Sequence, residues 1–199
     1  VIDYGMGNIG SVVNMIKKVG YTCIVSSNKN DILNATKLIL PGVGSFDEAI
    51  KNLQDLDIIE SINNQVLQNN IPILGICLGM QLLTNGSDEG KIPGLGYIDA
   101  YARKLNLNED VIIPHMGWNL LDIKKDNLLF DEELLEQRFY FVHSFFIECQ
   151  DNIDILSKTS YGVKFVSSFQ KNNIIGVQFH PEKSHKFGKN FFKNFLEKM

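Results

Sequence analysis

The run IPILGICLGMQLL, residues 71–83, decides the fold. It opens as an unbroken apolar stretch, IPILGI, of the kind a strand covered on both faces requires. It closes on MQLL, which reads as the start of a helix. Between them stands GICLG, residues 75–79, with Cys77 at its centre. A nucleophile flanked by glycines where a strand meets a helix forms an elbow. The glycines tolerate a cramped backbone, and the central side chain is thrust into a cleft. Free N–H groups and the helix dipole at that point favour the thiolate, the form that attacks carbonyl carbon. The plainer alternative is a small buried cysteine.

Working outward, the first half alternates strand-like and helical pieces. Val1 and Ile2 begin a strand, and TCIVS and KLILP read as two more. Ile9, Val12, Val13, Ile16 and Val19 recur at helical spacing, with Gly20 as a stop. DEAIKNLQDL and DIIESINNQVLQNN are helical patterns. This βαβα rhythm predicts an α/β fold with a mostly parallel central sheet flanked by helices. After about residue 95 the texture changes. GLGYIDAYARKL, VIIPHM, RFYFVHSFFIEC, VKFVSSFQ and NIIGVQFHP are strand-like runs separated by turns. They predict antiparallel additions in the C-terminal half, with a turn at Asn172 and Asn173, and an amphipathic helix from about Lys189. Nothing reads as a linker or repeat, so residues 1–199 are expected to form a single domain.

Composition narrows the function. The chain has 199 residues, 44% hydrophobic and 21% charged, which is ordinary for a globular protein. A net charge of -4 argues against nucleic-acid binding, which calls for a basic face. No apolar run approaches the roughly 18 residues a membrane span needs, and no export signal opens the chain. Cys23, Cys77 and Cys149 form no C-x-x-C pair, which fits a reducing cytoplasm and neither a disulfide framework nor a thiolate zinc site.

The opening DYGMGNIG contains Gly5-x-Gly7-x-x-Gly10. A dinucleotide site also needs an acid about 20 residues on to hold the ribose. The second strand runs TCIVSSN, and Asp31 lies beyond it. The motif then reads as a turn followed by a helix capped by Asn8, and no cofactor is implied.

Cys77 needs a base. Of His115, His143, His180 and His185, His180 stands out in GVQFHPEKS, with Glu182 two residues on. Extended residues i and i+2 face one way, and Pro181 restrains the backbone between them. Glu182 can therefore orient the imidazole while His180 moves protons for Cys77. H-x-E also opens the zinc-deaminase signature, but no cysteine follows Cys149 to complete it, so no metal is implied. In an α/β-hydrolase the acid precedes the histidine, the reverse of the order here.

With these residues in place, the chain resembles the class I (triad) glutamine amidotransferases. Within that family it is most similar to the glutaminase subunits of imidazole glycerol phosphate synthase. DYGMGN, LILPGVGSF, GICLGMQLL, GLG, PHMGWN, YFVHSF, TSYG and GVQFHPEKS occur in order across nearly the whole length. The resemblance implies a Rossmann-like amidotransferase fold in which Cys77, His180 and Glu182 convert glutamine to glutamate and ammonia through a glutamyl thioester. It implies oxyanion donors in the N–H groups of Leu78 and Val43. Gly44, Gln81, Ser144 and Phe145 would hold glutamine. Asn8, Trp118, Asn119, Tyr140 and Lys183 would face a (β/α)8 cyclase, forming a heterodimer that channels ammonia in histidine biosynthesis. His143 is expected to be structural or near the substrate, and His115 either.

Three places depart from the family pattern: His185 where glycine is common, Ala100 in place of a glycine-containing turn, and SDEG for SEEG. None touches the triad. The same chemistry feeding an amidation enzyme of surface-sugar biosynthesis is the alternative destination for the ammonia. A regulatory module of this fold is a more distant one, disfavoured by the intact triad.

Overall fold

Three short strands lie parallel at the heart of the fold: β1 (Leu38–Gly42), β2 (Ile73–Cys77) and β10 (Ile174–Val177), with β2 in the middle. Successive side chains of a strand point to opposite faces. Leu38, Leu40, Ile73 and Ile174 enter one hydrophobic core, and Ile39, Leu74, Ile76, Ile175 and Val177 enter the other. Each strand serves two cores, so its sequence is an unbroken apolar run. The computed structural model that shows this describes residues 1–105, 112–130 and 136–199.

The helices α1 (Ile9–Lys18), α2 (Lys29–Leu33), α3 (Phe46–Asp55), α4 (Ile59–Asn63, continued by a π-helical turn) and α5 (Leu78–Leu82) alternate with the first strands. Beyond them run β3 (Ala100–Lys104), β4 (His115–Leu120), β5 (Asp122–Ile123), β6 (Arg138–His143), β7 (Phe145–Cys149), β8 (Ile155–Tyr161), β9 (Val163–Lys171) and, after β10, α6 (His185–Lys198). The sheet is mixed. Its order is β1-β2-β10-β9-β7-β3, with β8 joining β9 to β5, and every ladder beyond β10 is antiparallel. β4 and β6 pair in a separate two-stranded sheet. No helix among the described residues is long and apolar enough to cross a membrane.

Three boundaries differ from the sequence reading. The two opening strands shrink to one bridge, Ile2 to Ser26, with the Ile2 N–H donating to the Ile39 carbonyl at 2.9 Å. They lie at the sheet margin, where Ile24 and Val25 are exposed and bury little that would extend the pairing. RFYFVHSFFIEC breaks at Ser144, where the chain passes from the small sheet to the large one. The last helix begins at His185, with Gly188 already packed on the Pro181 carbonyl. The expected turn at Asn172 and Asn173 is present, with Asn172 at φ +53°. Val111, which opens VIIPHM, lies outside the described residues.

Candidate active site

The carboxyl ends of β1, β2 and β10 carry the site, the usual place for one in an open α/β sheet. Register fixes the neighbours. Gly42 of β1 lies opposite Cys77, and Val177 of β10 lies opposite Ile76, which leaves Gln178 beside Cys77 and His180 just beyond. Cys77 has φ +55° and ψ -108°, a backbone conformation costly for a side-chain-bearing residue, by about 1–3 kcal/mol. The flanking glycines make the elbow possible. A Cβ on Gly75 would meet the Gly79 carbonyl at 2.6 Å, and one on Gly79 would meet the Leu40 carbonyl at 1.8 Å.

His180 and Glu182 are both buried, and Nδ1 of the ring lies 2.7 Å from Glu182 Oε1. The turn carrying them is stitched to β6: the His180 N–H donates to the Tyr140 carbonyl, and the Ser184 hydroxyl donates to the His180 carbonyl while accepting from the Tyr140 N–H. Burial pulls the His180 pKa down, but the adjoining Cys77 sulfur and the Glu182 carboxylate outweigh it and raise the pKa well above the ordinary value. Its Nε2 is buried and makes no hydrogen bond to protein among the described residues. A buried nitrogen left free in this way, beside a sulfur, is placed to take and give a proton.

A cavity of about 300 Å³ opens over the sulfur, lined by Val43, Gly44, Cys77, Leu78, Gln81, Glu89, Val142, His143, Ser144 and Phe145. Every residue that the sequence reading assigned to oxyanion stabilisation or glutamine binding is therefore at one place. Val43 and Leu78, whose N–H groups the sequence reading assigns to the oxyanion, both line this cavity beside the sulfur. A larger groove of about 690 Å³ elsewhere includes Cys23 and Asp31 but no histidine.

Sequence reasoning missed three residues here. Glu89 lines the cavity and accepts a hydrogen bond from the Phe46 N–H at 3.0 Å, which fixes the start of α3. In sequence its SDEG segment reads only as a departure from the family pattern. The hydroxyl of buried Tyr4 donates to the Pro41 carbonyl at 2.8 Å and occupies the space where Gly42 would carry a Cβ. Burial, then the charge of Cys77, pushes its phenol upward. The opening loop thus packs on the PGVG segment, with Met6 against Gly44 and Gly7 against Pro41. The third, Gln178, has its side-chain amide against the sulfur.

His143 and His115 form a buried pair. His143 Nδ1–H donates to the Phe145 carbonyl at 2.7 Å, which leaves its Nε2 to accept from His115 Nδ1 at 3.0 Å. Each ring is then neutral with its proton on Nδ1. Burial lowers His143 to about 3 and His115 to about 4, against an ordinary 6.5. In the unfolded chain both rings take up protons near pH 6.5, while in the folded chain they do not. Their contribution is therefore complete above 6.5 and is lost as pH falls. Thermal unfolding midpoints will drop increasingly steeply from pH 6.5 towards 4.5, and His115→Gln will flatten that dependence; an unchanged slope in the variant would contradict this account.

Trp118 is exposed and stacks on His185 at 5.6 Å, with Tyr140 edge-on at 6.2 Å and Lys183 Nζ 6.0 Å above the Tyr140 ring. These four make one surface patch. Asn119 turns the other way along β4, its amide donating to the Ser160 carbonyl at 3.0 Å and lying 3.3 Å from His115 Nε2. Asn8 stands at the start of α1 without a side-chain cap bond.

The model of the glutamine amidotransferase class-I family matches residues 1–199, the entire chain. The chain belongs to this family. Among curated relatives of this amidotransferase, "Imidazole glycerol phosphate synthase subunit HisH 2" of Methanococcus maripaludis is 51% identical over 99% of this chain and 98% of its own. The subunit of the same name from Pseudomonas aeruginosa is 45% identical over the same shares. "Imidazole glycerol phosphate synthase subunit HisH" of Bdellovibrio bacteriovorus is 42% identical over 99% and 98%. The amidotransferase fold recurs in a solved glutamine amidotransferase (TM-score 0.77, 17% identity, 98% of this chain and 96% of that one) and in PurLQS of Thermotoga maritima (TM-score 0.74, 18% identity, 98% and 95%).

Proposed function

We propose that this amidotransferase is the glutaminase subunit of an imidazole glycerol phosphate synthase. The carrying observation is that the ends of three parallel strands bring the Cys77–Leu78 elbow, which opens on a cavity shared with Val43, together with the buried His180–Glu182 pair, whose ring adjoins the Cys77 sulfur. The Cys77 thiolate attacks the side-chain carboxamide carbon of glutamine, and the resulting oxyanion is received by the N–H groups of Leu78 and Val43. His180 Nε2–H protonates the departing nitrogen, so that ammonia leaves and a glutamyl thioester remains. Water then gives a proton to His180 and attacks the thioester, releasing glutamate and restoring the thiolate and imidazolium. Gly44, Gln81, Ser144 and Phe145 frame the substrate. Glu89, the one carboxylate lining the cavity among the described residues, fits the α-ammonium group.

Free ammonia in bulk water would be protonated and diluted, so the partner must take it directly. The Trp118, Tyr140, Lys183 and His185 patch, with two aromatic anchors, suits a docked (β/α)8 cyclase that consumes ammonia to form imidazole glycerol phosphate and AICAR from PRFAR. One pair of measurements tests both halves. A glutamine-analogue alkylator will add once, at Cys77 and not at Cys23 or Cys149; no adduct, with or without the cyclase, would refute the glutaminase. The gene will restore growth to a histidine auxotroph lacking this subunit. Labelling at Cys77 without complementation would keep the chemistry and send the ammonia to a different acceptor.

A further inference from the structure

GVQFHPEKS contributes more than its histidine and glutamate. Gln178 is fully buried one residue past β10, and the ladder that pairs Val177 with Ile76 places it beside Cys77. Its Nε2 lies 3.6 Å from the Cys77 sulfur. Its Oε1 accepts from Gln81 Nε2 at 3.2 Å, so both ends of the amide are engaged. A purely packing role would not require a buried amide, which is costly to leave unpaired and more costly to aim wrongly. The sulfur also has the Val142 carbonyl at 3.8 Å, an acceptor that suits a neutral thiol and repels an anion. Of the uncharged groups hydrogen-bonded to the sulfur among the described residues, Gln178 is the one that stabilises the anion.

We propose that Gln178 is a further catalytic residue: its side-chain N–H donates to the Cys77 sulfur and favours the attacking thiolate, while Gln81 holds the amide in the orientation that makes donation possible. This also gives Gln81 a second duty, because its N–H fixes Gln178 from the wall of the cavity. The proposal takes its catalytic meaning from the glutaminase reading, but its test does not depend on the substrate. Iodoacetamide reports on the sulfur whatever the enzyme acts on.

In a Cys23→Ser, Cys149→Ser background, the rate of Cys77 alkylation is followed against pH for the parent, Gln178→Met and Gln178→Glu. Methionine keeps the bulk and loses the donor. Its alkylation midpoint will rise by about one pH unit, as expected for the loss of one hydrogen bond to an anion. Glutamate turns a carboxylate oxygen towards the sulfur and will raise the midpoint further. Gln81→Met, which leaves Gln178 in place but frees its amide, will move it in the same direction by less. Glutamine turnover in Gln178→Met will fall about tenfold or more in kcat. An unmoved midpoint in folded Gln178→Met, judged by an unchanged circular dichroism spectrum, would overturn the proposal and leave Gln178 a packing residue. A moved midpoint in a protein that hydrolyses no glutamine would uphold the hydrogen bond and refute the glutaminase.

Discussion

Cys77→Ala will lose glutamine hydrolysis by about ten-thousand-fold or more in kcat, because without sulfur no thioester can form. Binding should survive. Gln81, Glu89, Ser144 and Phe145 still line the cavity, so calorimetry on the variant will register glutamine. Groups that act on one step are not additive. The double variant Cys77→Ala, His180→Ala will therefore be no slower than Cys77→Ala alone. If the double variant were far slower, His180 would be serving some reaction that does not pass through Cys77. The elbow adds a stability signature. Cys77 is held at φ +55°, a strain alanine keeps and glycine relieves. Cys77→Gly will consequently be as inactive as the alanine variant but more stable than it, by about 1 kcal/mol, or roughly 2–4 °C in Tm for a chain of this size. Equal midpoints for the two variants would show that the elbow stores no strain.

How much of this was legible beforehand differs by element. The central strands were plain, because a strand serving two cores must be apolar at every position, as β2 is. The proposed triad is legible for a local reason: GICLG and HPE each compress a backbone requirement and a chemical one into a few residues. What the sequence hid was adjacency across strands. Nothing in the order of residues says that Gly42 and Gln178 flank Cys77, since that depends on the parallel registers of β1 and β10 on β2. Glu89 was hidden for the same reason, reaching the cavity from a loop whose composition is that of any surface turn. In sequence Tyr4 reads as part of a glycine-rich loop, yet its hydroxyl reaches the Pro41 carbonyl across 37 positions of chain. The edge strands failed differently: TCIVS has strand propensity, but Ile24 and Val25 have little to pack against, and propensity without burial is a weak determinant.

Gly79→Ala is expected to be the most damaging change outside the triad. Its new methyl would sit 1.8 Å from the Leu40 carbonyl, a backbone atom of the buried strand β1, and neither side can yield as a flexible side chain would. Either α5 lifts from the sheet or β1 is pushed aside, at about 4 kcal/mol or more, which lowers Tm by roughly 8–16 °C. The damage should reach the chemistry as well. β1 ends beside Val43 and α5 begins at Leu78, so separating them pulls apart the two N–H groups proposed to receive the oxyanion. Measured well below its melting point, the variant will therefore still lose about a hundredfold in kcat, the scale of one lost oxyanion donor. Gly10→Ala provides the contrast. A Cβ there meets nothing within 4 Å, the residue lies in α1, and alanine in a helix is worth about 0.5–1 kcal/mol over glycine. That variant will be as active as the parent and no less stable. A Gly79→Ala protein that melts with the parent and turns over glutamine normally would mean that β1 and α5 are not in contact, and the oxyanion site described here would have to be abandoned with them.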